Sequence, residues 1–142
     1  MSVDPRRLAP AGIDSASIRG VTDMPWKSIR LELACTDDFP DGSASRSYTF
    51  RLPLGDEALI DAKAIERAPA LATAHRYWPN ERDRFGYVIR TAHGWAVRFE
   101  TGDESLLFEL DHRPVKESKI LVMEEPDGAR RPFRIVSVRP VS

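Results

Sequence analysis

Apolar side chains recur at every second position through most of this chain, and turn residues cut the runs into short pieces. A period of two is the pattern of a strand with one buried face. In the second half the turn signals come every ~8–12 residues, the spacing of an antiparallel sheet, barrel or sandwich. Phe85, Tyr87 and Ile89 alternate into Thr91-Ala92-His93-Gly94. Gly94 can supply the positive φ that a hairpin loop needs. Trp95, Val97 and Phe99 return on the next strand, and Thr101-Gly102-Asp103-Glu104 makes another turn. Leu106, Phe108 and Leu110 form the following run. A polar connection from Asp111 to Glu117 leads into Ile120-Leu121-Val122-Met123. Glu125-Pro126-Asp127-Gly128 is a turn with Pro second and Gly fourth. Phe133, Ile135 and Val138 carry the last strand.

The first half follows the same grammar. Between Lys27 and Cys35, the residues Ile29, Leu31, Leu33 and Cys35 share one face, against Ser28, Arg30, Glu32 and Ala34. A polar loop through Asp37, Asp38, Pro40, Asp41 and Gly42 follows. From Arg46 to Pro53 the inward residues are Tyr48, Phe50 and Leu52. One segment reads as helix: Asp61 is a good N-cap for Ala62 to Ala68, with Ile65 inward. Pro69 limits that helix to about two turns, because it lacks an N–H and clashes with the turn before it. A strand is then expected from Ala70 to Trp78. There Leu71, Thr73, His75 and Tyr77 share one face, and Ala72, Ala74, Arg76 and Trp78 the other. The predicted fold class is mainly β: an antiparallel barrel or strongly coiled sheet of about eight strands, with one short helix plugging an end. No period of 20–50 residues repeats, which argues against a solenoid or propeller.

The chain has 142 residues, the size of one domain. A chain of this size buries roughly 68–70% of its unfolded surface, so it needs neither disulfides nor metal to fold. Residues 1–26 carry Pro5, Pro10 and Pro25 and no sustained period. They are expected to form an extended or flexible N-terminal arm, its end pinned by Met24, Pro25 and Trp26. Residues 27–142 then form a single β-rich domain. The N-terminus has two arginines but no apolar stretch of signal-peptide length, and no run approaches the ~18 apolar residues of a membrane span. The lone Cys35 has no intramolecular disulfide partner and suits a reducing compartment. The expectation is a cytoplasmic protein of bacterial type. A net charge of −1 argues against a chain that holds nucleic acid or membrane by overall positive charge. The 17 arginines against four lysines would suit bidentate recognition of anions, but codon bias in a GC-rich genome explains them more simply.

Motifs with chemistry are sparse. His75, His93 and His112 are 18 and 19 residues apart, a spacing that matches no short metal motif, so no metal site is expected. Asp37 to Gly42 lacks the alternate oxygens and downstream Glu of a calcium loop, and Pro40 breaks it further. No serine sits in a nucleophile elbow, and common nucleotide cradles are absent. Cys35 is expected on the apolar face of its strand, with an inert thiol. No cofactor is expected. From His75 to Phe99 aromatic residues interleave with five arginines, and two acids leave the segment at +3. A basic aromatic face suits single-stranded nucleic acid, as in OB-type barrels. The plainer reading puts the aromatics in the core and the arginines outside. Trp78, beside Arg76 and before Pro79, can line a ligand mouth or simply cover the barrel end.

From Asp61 to Val138 the chain resembles small uncharacterised bacterial β-rich proteins of unknown function. The resemblance rests on Asp61-Ala62, Arg76-Tyr77-Trp78-Pro79, Gly94-Trp95, Asp111-His112-Arg113, Asp127-Gly128 and the run Phe133 to Val138. It implies the strand reading and lends no residue a catalytic role. Taken together, the leading expectation is a non-enzymatic domain for protein interaction or oligomerisation, acting through unpaired sheet edges and the arm. One alternative is a small-ligand-binding or enzymatic barrel with Arg76, Trp78, Arg90 and His112 near its mouth. The other is a single-stranded nucleic-acid-binding domain. An open or a packed barrel interior separates these readings.

Overall fold

The computed structural model describes residues 26–92, 94–108, 110 and 113–141. Among them eight strands close into one antiparallel barrel. The strands are β1 (Trp26–Leu33), β2 (Ser43–Pro53), β3 (Thr73–Tyr77), β4 (Arg84–Thr91), β5 (Gly94–Phe99), β6 (Glu104–Leu107), β7 (Ile120–Glu124) and β8 (Arg130–Pro140). Each pairs with its neighbour in sequence, and β1 pairs with β8 to close the cylinder. A closed sheet presents no unpaired edge, so the edge-to-edge association expected from the sequence has no strand to use.

The inner faces follow the period-two pattern. Ile29, Leu31, Leu33, Tyr48, Phe50 and Leu52 are all buried. Trp95, Val97 and Phe99 are buried as expected, while Arg98 points out. The last strand explains an oddity of its sequence. Phe133 and Ile135 are two apart, but Val138 is three further on. A register shift pairs Arg30 with Ser137 and Leu31 with Ile135, leaving Val136 as the extra residue of a bulge. The bulge returns Val138 to the core side, where it packs against the cluster.

The helix α1 (Ala62–Arg67) starts where Asp61 caps it. The Asp61 Oδ1 accepts from the Ala64 N–H at 3.2 Å. It packs against β2 with Ala64 and Ile65 buried.

Four expectations need correction. The segment from Ala70 does not enter the sheet at once: Pro69–Leu71 is a 3₁₀ turn, and β3 begins at Thr73. Proline at the first position of that turn favours the helical φ and delays the strand.

Cys35 is exposed rather than on the core face. The β1–β2 register breaks between Glu32 and Leu33, and Ala34 donates its N–H to the Pro132 carbonyl. The chain has left the ladder before Cys35.

In β4 the inward residues are Gly86 and Val88. Phe85, Tyr87 and Ile89 lie on the outer face. A Cβ at position 86 would stand 2.4 Å from the Arg98 carbonyl oxygen. Only glycine allows β4 to come this close to β5.

In β6 the inward residues are Ser105 and Leu107, and Leu106 and Phe108 face outward. The Ser105 hydroxyl lies 3.5 Å from the buried Tyr48 hydroxyl, and the Arg130 guanidinium covers Phe108 at 4.7 Å.

The expected arm lies outside the described residues, apart from Trp26. That residue opens β1 opposite Pro53 and packs against the core.

Candidate functional site

The barrel has two unlike ends. At one, β2 begins, β3 ends, and the β7–β8 turn crosses over. Here Tyr48, Arg76, Ser105 and Glu125 form a buried polar network. The Tyr48 hydroxyl lies 3.0 Å from both Glu125 carboxylate oxygens, to which it donates. Arg76 donates from Nε to the same carboxylate at 3.0 Å, and from a terminal nitrogen to Glu81 at 2.9 Å. Tyr48 is 0% exposed and Glu125 is 3% exposed. Burial raises the Tyr48 pKa above its ordinary value, the Glu125 charge adds to that, and the Ser105 hydrogen bond and Arg76 oppose it. Burial works to lower the Arg76 pKa, but Glu125, Tyr48 and Glu81 outweigh it and raise it. A neutral phenol and a guanidinium therefore share one carboxylate in the dry interior. Such a closed, satisfied network fixes the packing of this end. It presents no reacting group to a ligand.

Trp78 stands at the rim of this network. The Arg76 guanidinium lies 4.0 Å from its ring centroid, with Arg131 at 5.4 Å and Arg46 at 5.8 Å. Arg46 also sits over Phe39 at 4.1 Å. The structure thus brings Arg76 and Trp78 together, as a stacked pair. It does not bring Arg90 to them. Arg84 pairs with Arg76 across β3 and β4, and Arg90 is six residues further along β4, roughly 20 Å away at the strand rise. There Arg90 covers Trp95 at 5.0 Å. His112 lies outside the described residues.

The arginines of the basic segment are spread over the barrel. Arg76 meets Glu125 and Glu81, Arg84 meets Asp103 at 2.9 Å, and Arg98 meets Glu104 at 2.6 Å. Acids from other elements offset the +3 that the segment carries in sequence.

The opposite end is apolar. A cavity of ≈ 250 Å³ lies between the barrel wall and the residues Leu110, Pro114 and Val115, which lie in sequence between β6 and β7. Its wall is Ile29 and Leu31 of β1, Phe50 and Leu52 of β2, Leu121 of β7 and Ile135 of β8. Leu110, Pro114 and Val115 form its cover. The Val115 N–H donates to the Ala58 carbonyl at 2.9 Å, which ties the cover to the β2–β3 connection. Among the described residues Arg113 and Lys119 are the charged ones of the lining, and both are exposed. Nothing in the alternation flags this site. Its wall reads in sequence as ordinary core, and Lys119 reads as the polar lead-in to a strand. Among the described residues no group of three His, Cys, Asp or Glu side chains is placed to hold a metal.

No family model, curated protein or solved structure matches this chain.

Proposed function

We propose that the chain is a small-ligand-binding barrel that takes a compact, mainly apolar molecule into the end opposite the polar network. The observation that carries this reading is the ≈ 250 Å³ cavity, walled by inward aliphatic side chains and open at a rim that holds Lys119. An eight-stranded barrel is just wide enough to be filled by side chains or to hold one small ligand. Here Tyr48, Phe133 and Met123 fill one end, and the other holds the cavity under its cover. The volume lies just below the ~300–1,000 Å³ of drug-sized sites, so the ligand is small. Methyl-resolved NMR with octan-1-ol tests the reading. Saturable shifts confined to Ile29, Leu31, Leu52, Leu121 and Ile135 are expected. Absent or scattered shifts would overturn it.

One observation favours a second reading, association with another copy of this chain. The outer face of β4 and the turn before β3 leave Tyr87 42% and Leu71 52% exposed beside Phe85 and Ile89. A groove of ≈ 460 Å³ runs along Phe85, Tyr87 and Ile89 against Pro69 and Ala70. Exposed apolar patches commonly mark association surfaces. Light scattering should then show a concentration-dependent dimer that Tyr87→Lys dissociates. A monomer at all concentrations would rule it out.

A further inference from the structure

We propose that the ligand of the apolar cavity is a single-chain carboxylate, its alkyl tail among the barrel side chains and its head held at the rim by Lys119. The inference rests on the ligand-binding reading above and adds the chemical class. Among the described residues the cavity lining contains two cationic side chains, Arg113 and Lys119, and no acid. An apolar wall rejects buried polar groups, which cost several kilocalories when unpaired. A charged head must therefore stay at the rim, where Lys119 is. The volume also suits a short chain. At ~30 Å³ per water-sized group, ≈ 250 Å³ holds roughly eight heavy atoms.

Lys119 is placed for this role by its backbone. Its carbonyl accepts from the Ile135 N–H at 2.8 Å, and its own N–H donates to Lys116 at 3.2 Å. Ile135 is itself part of the cavity wall. The base of the side chain is fixed beside the wall while its end is exposed. Among the described residues no carboxylate pairs with the Lys119 ammonium, so its charge is available to an anion. The four-carbon stem can lie along apolar surface with the charge in water.

Octanoate and octan-1-ol, matched in chain length, are the probes. Each is titrated into the full chain and into Lys119→Met, which keeps the apolar stem and removes the charge. Lys119→Gln repeats the comparison, and circular dichroism checks that both variants fold. The intact chain is expected to bind octanoate roughly two- to fivefold more tightly than octanol, the range of one partly exposed ion pair. The gap should close in both variants, and it should shrink in high salt. If octanol binds as well as octanoate, the head-group assignment fails and the cavity reading stands. If the gap persists without Lys119, the assignment to that residue fails. If neither probe binds, the ligand-binding reading itself fails, and this inference with it.

Discussion

The Tyr48 hydroxyl donates to the Glu125 carboxylate at 3.0 Å, across 77 residues of sequence. The bond links the second strand to the last turn through the middle of the barrel end. Arg76, from a third element, completes it on the other side of the carboxylate. Three distant segments are thereby fixed to one buried charge.

Removing that charge should be costly. Glu125→Leu leaves the buried Arg76 with Glu81 alone, and leaves the Tyr48 hydroxyl with Ser105 alone. Breaking a buried pair by removing one partner costs about 3–5 kcal/mol. Tyr48→Phe removes one hydrogen bond to a charged group, and about 1.5–3 kcal/mol is expected. Urea denaturation midpoints check both. Two equal, small effects would show that the network adds little.

The same network makes stability fall at high pH. Tyr48 has its pKa raised in the folded chain above the ordinary value of 10.0. Below pH 10 the phenol is protonated both folded and unfolded, and its contribution is fully present. Above pH 10 the unfolded chain releases the proton while the folded chain keeps it. Unfolding is then favoured increasingly as pH rises toward the folded value. The difference in melting temperature between the intact chain and Tyr48→Phe should narrow between pH 9 and pH 11. A constant difference over that range would contradict the assignment.

Gly86→Ala tests the close approach of β4 and β5. The new Cβ would meet the Arg98 carbonyl oxygen at 2.4 Å, a backbone atom held in the ladder. Overpacking of this kind typically costs about 1–3 kcal/mol. Chemical denaturation is expected to show a loss in that range. Gly102→Ala is the comparison, since nothing lies within 4 Å of its Cβ and only its positive φ is at stake.

The exposed Cys35 thiol should react with a disulfide reagent in the folded chain, without denaturant. One equivalent released at the same rate in buffer and in urea is the expected result. Reaction only on unfolding would place the thiol in the core after all.

Much of the barrel was legible because bulk and alternation agreed. Tyr48, Phe50 and Leu52 are the large residues of β2, and they are also the inward ones. Asp61 capped its helix because the chemistry of a helix start is local. Alternation misled in β4 and β6, where the inward positions hold Gly86 and Ser105. Their small size is demanded by partners on other strands, Arg98 for one and Tyr48 for the other. Tyr48 and Ser105 are 57 residues apart, and Gly86 meets Arg98 only through the register of β4 on β5. The site escaped for the same reason. Glu125 looked like the first residue of a turn, and Arg76 like a rim cation. Only the register of the closed barrel places them on one another. The cavity is a matter of how Leu110, Pro114 and Val115 lie over the wall made by β7, β8, β1 and β2, which no side-chain pattern records.

The ladder between β1 and β8 has one more consequence. The Val141 N–H donates to the Trp26 carbonyl at 3.3 Å, so the first and last strands of the barrel end side by side. Every other ladder joins strands that are already sequence neighbours. The cylinder therefore has no privileged starting point. A circular permutant, linked across Trp26 and Val141 and opened in the β5–β6 turn at Gly102, would keep all eight ladders. Surface turns of this kind tolerate such cuts.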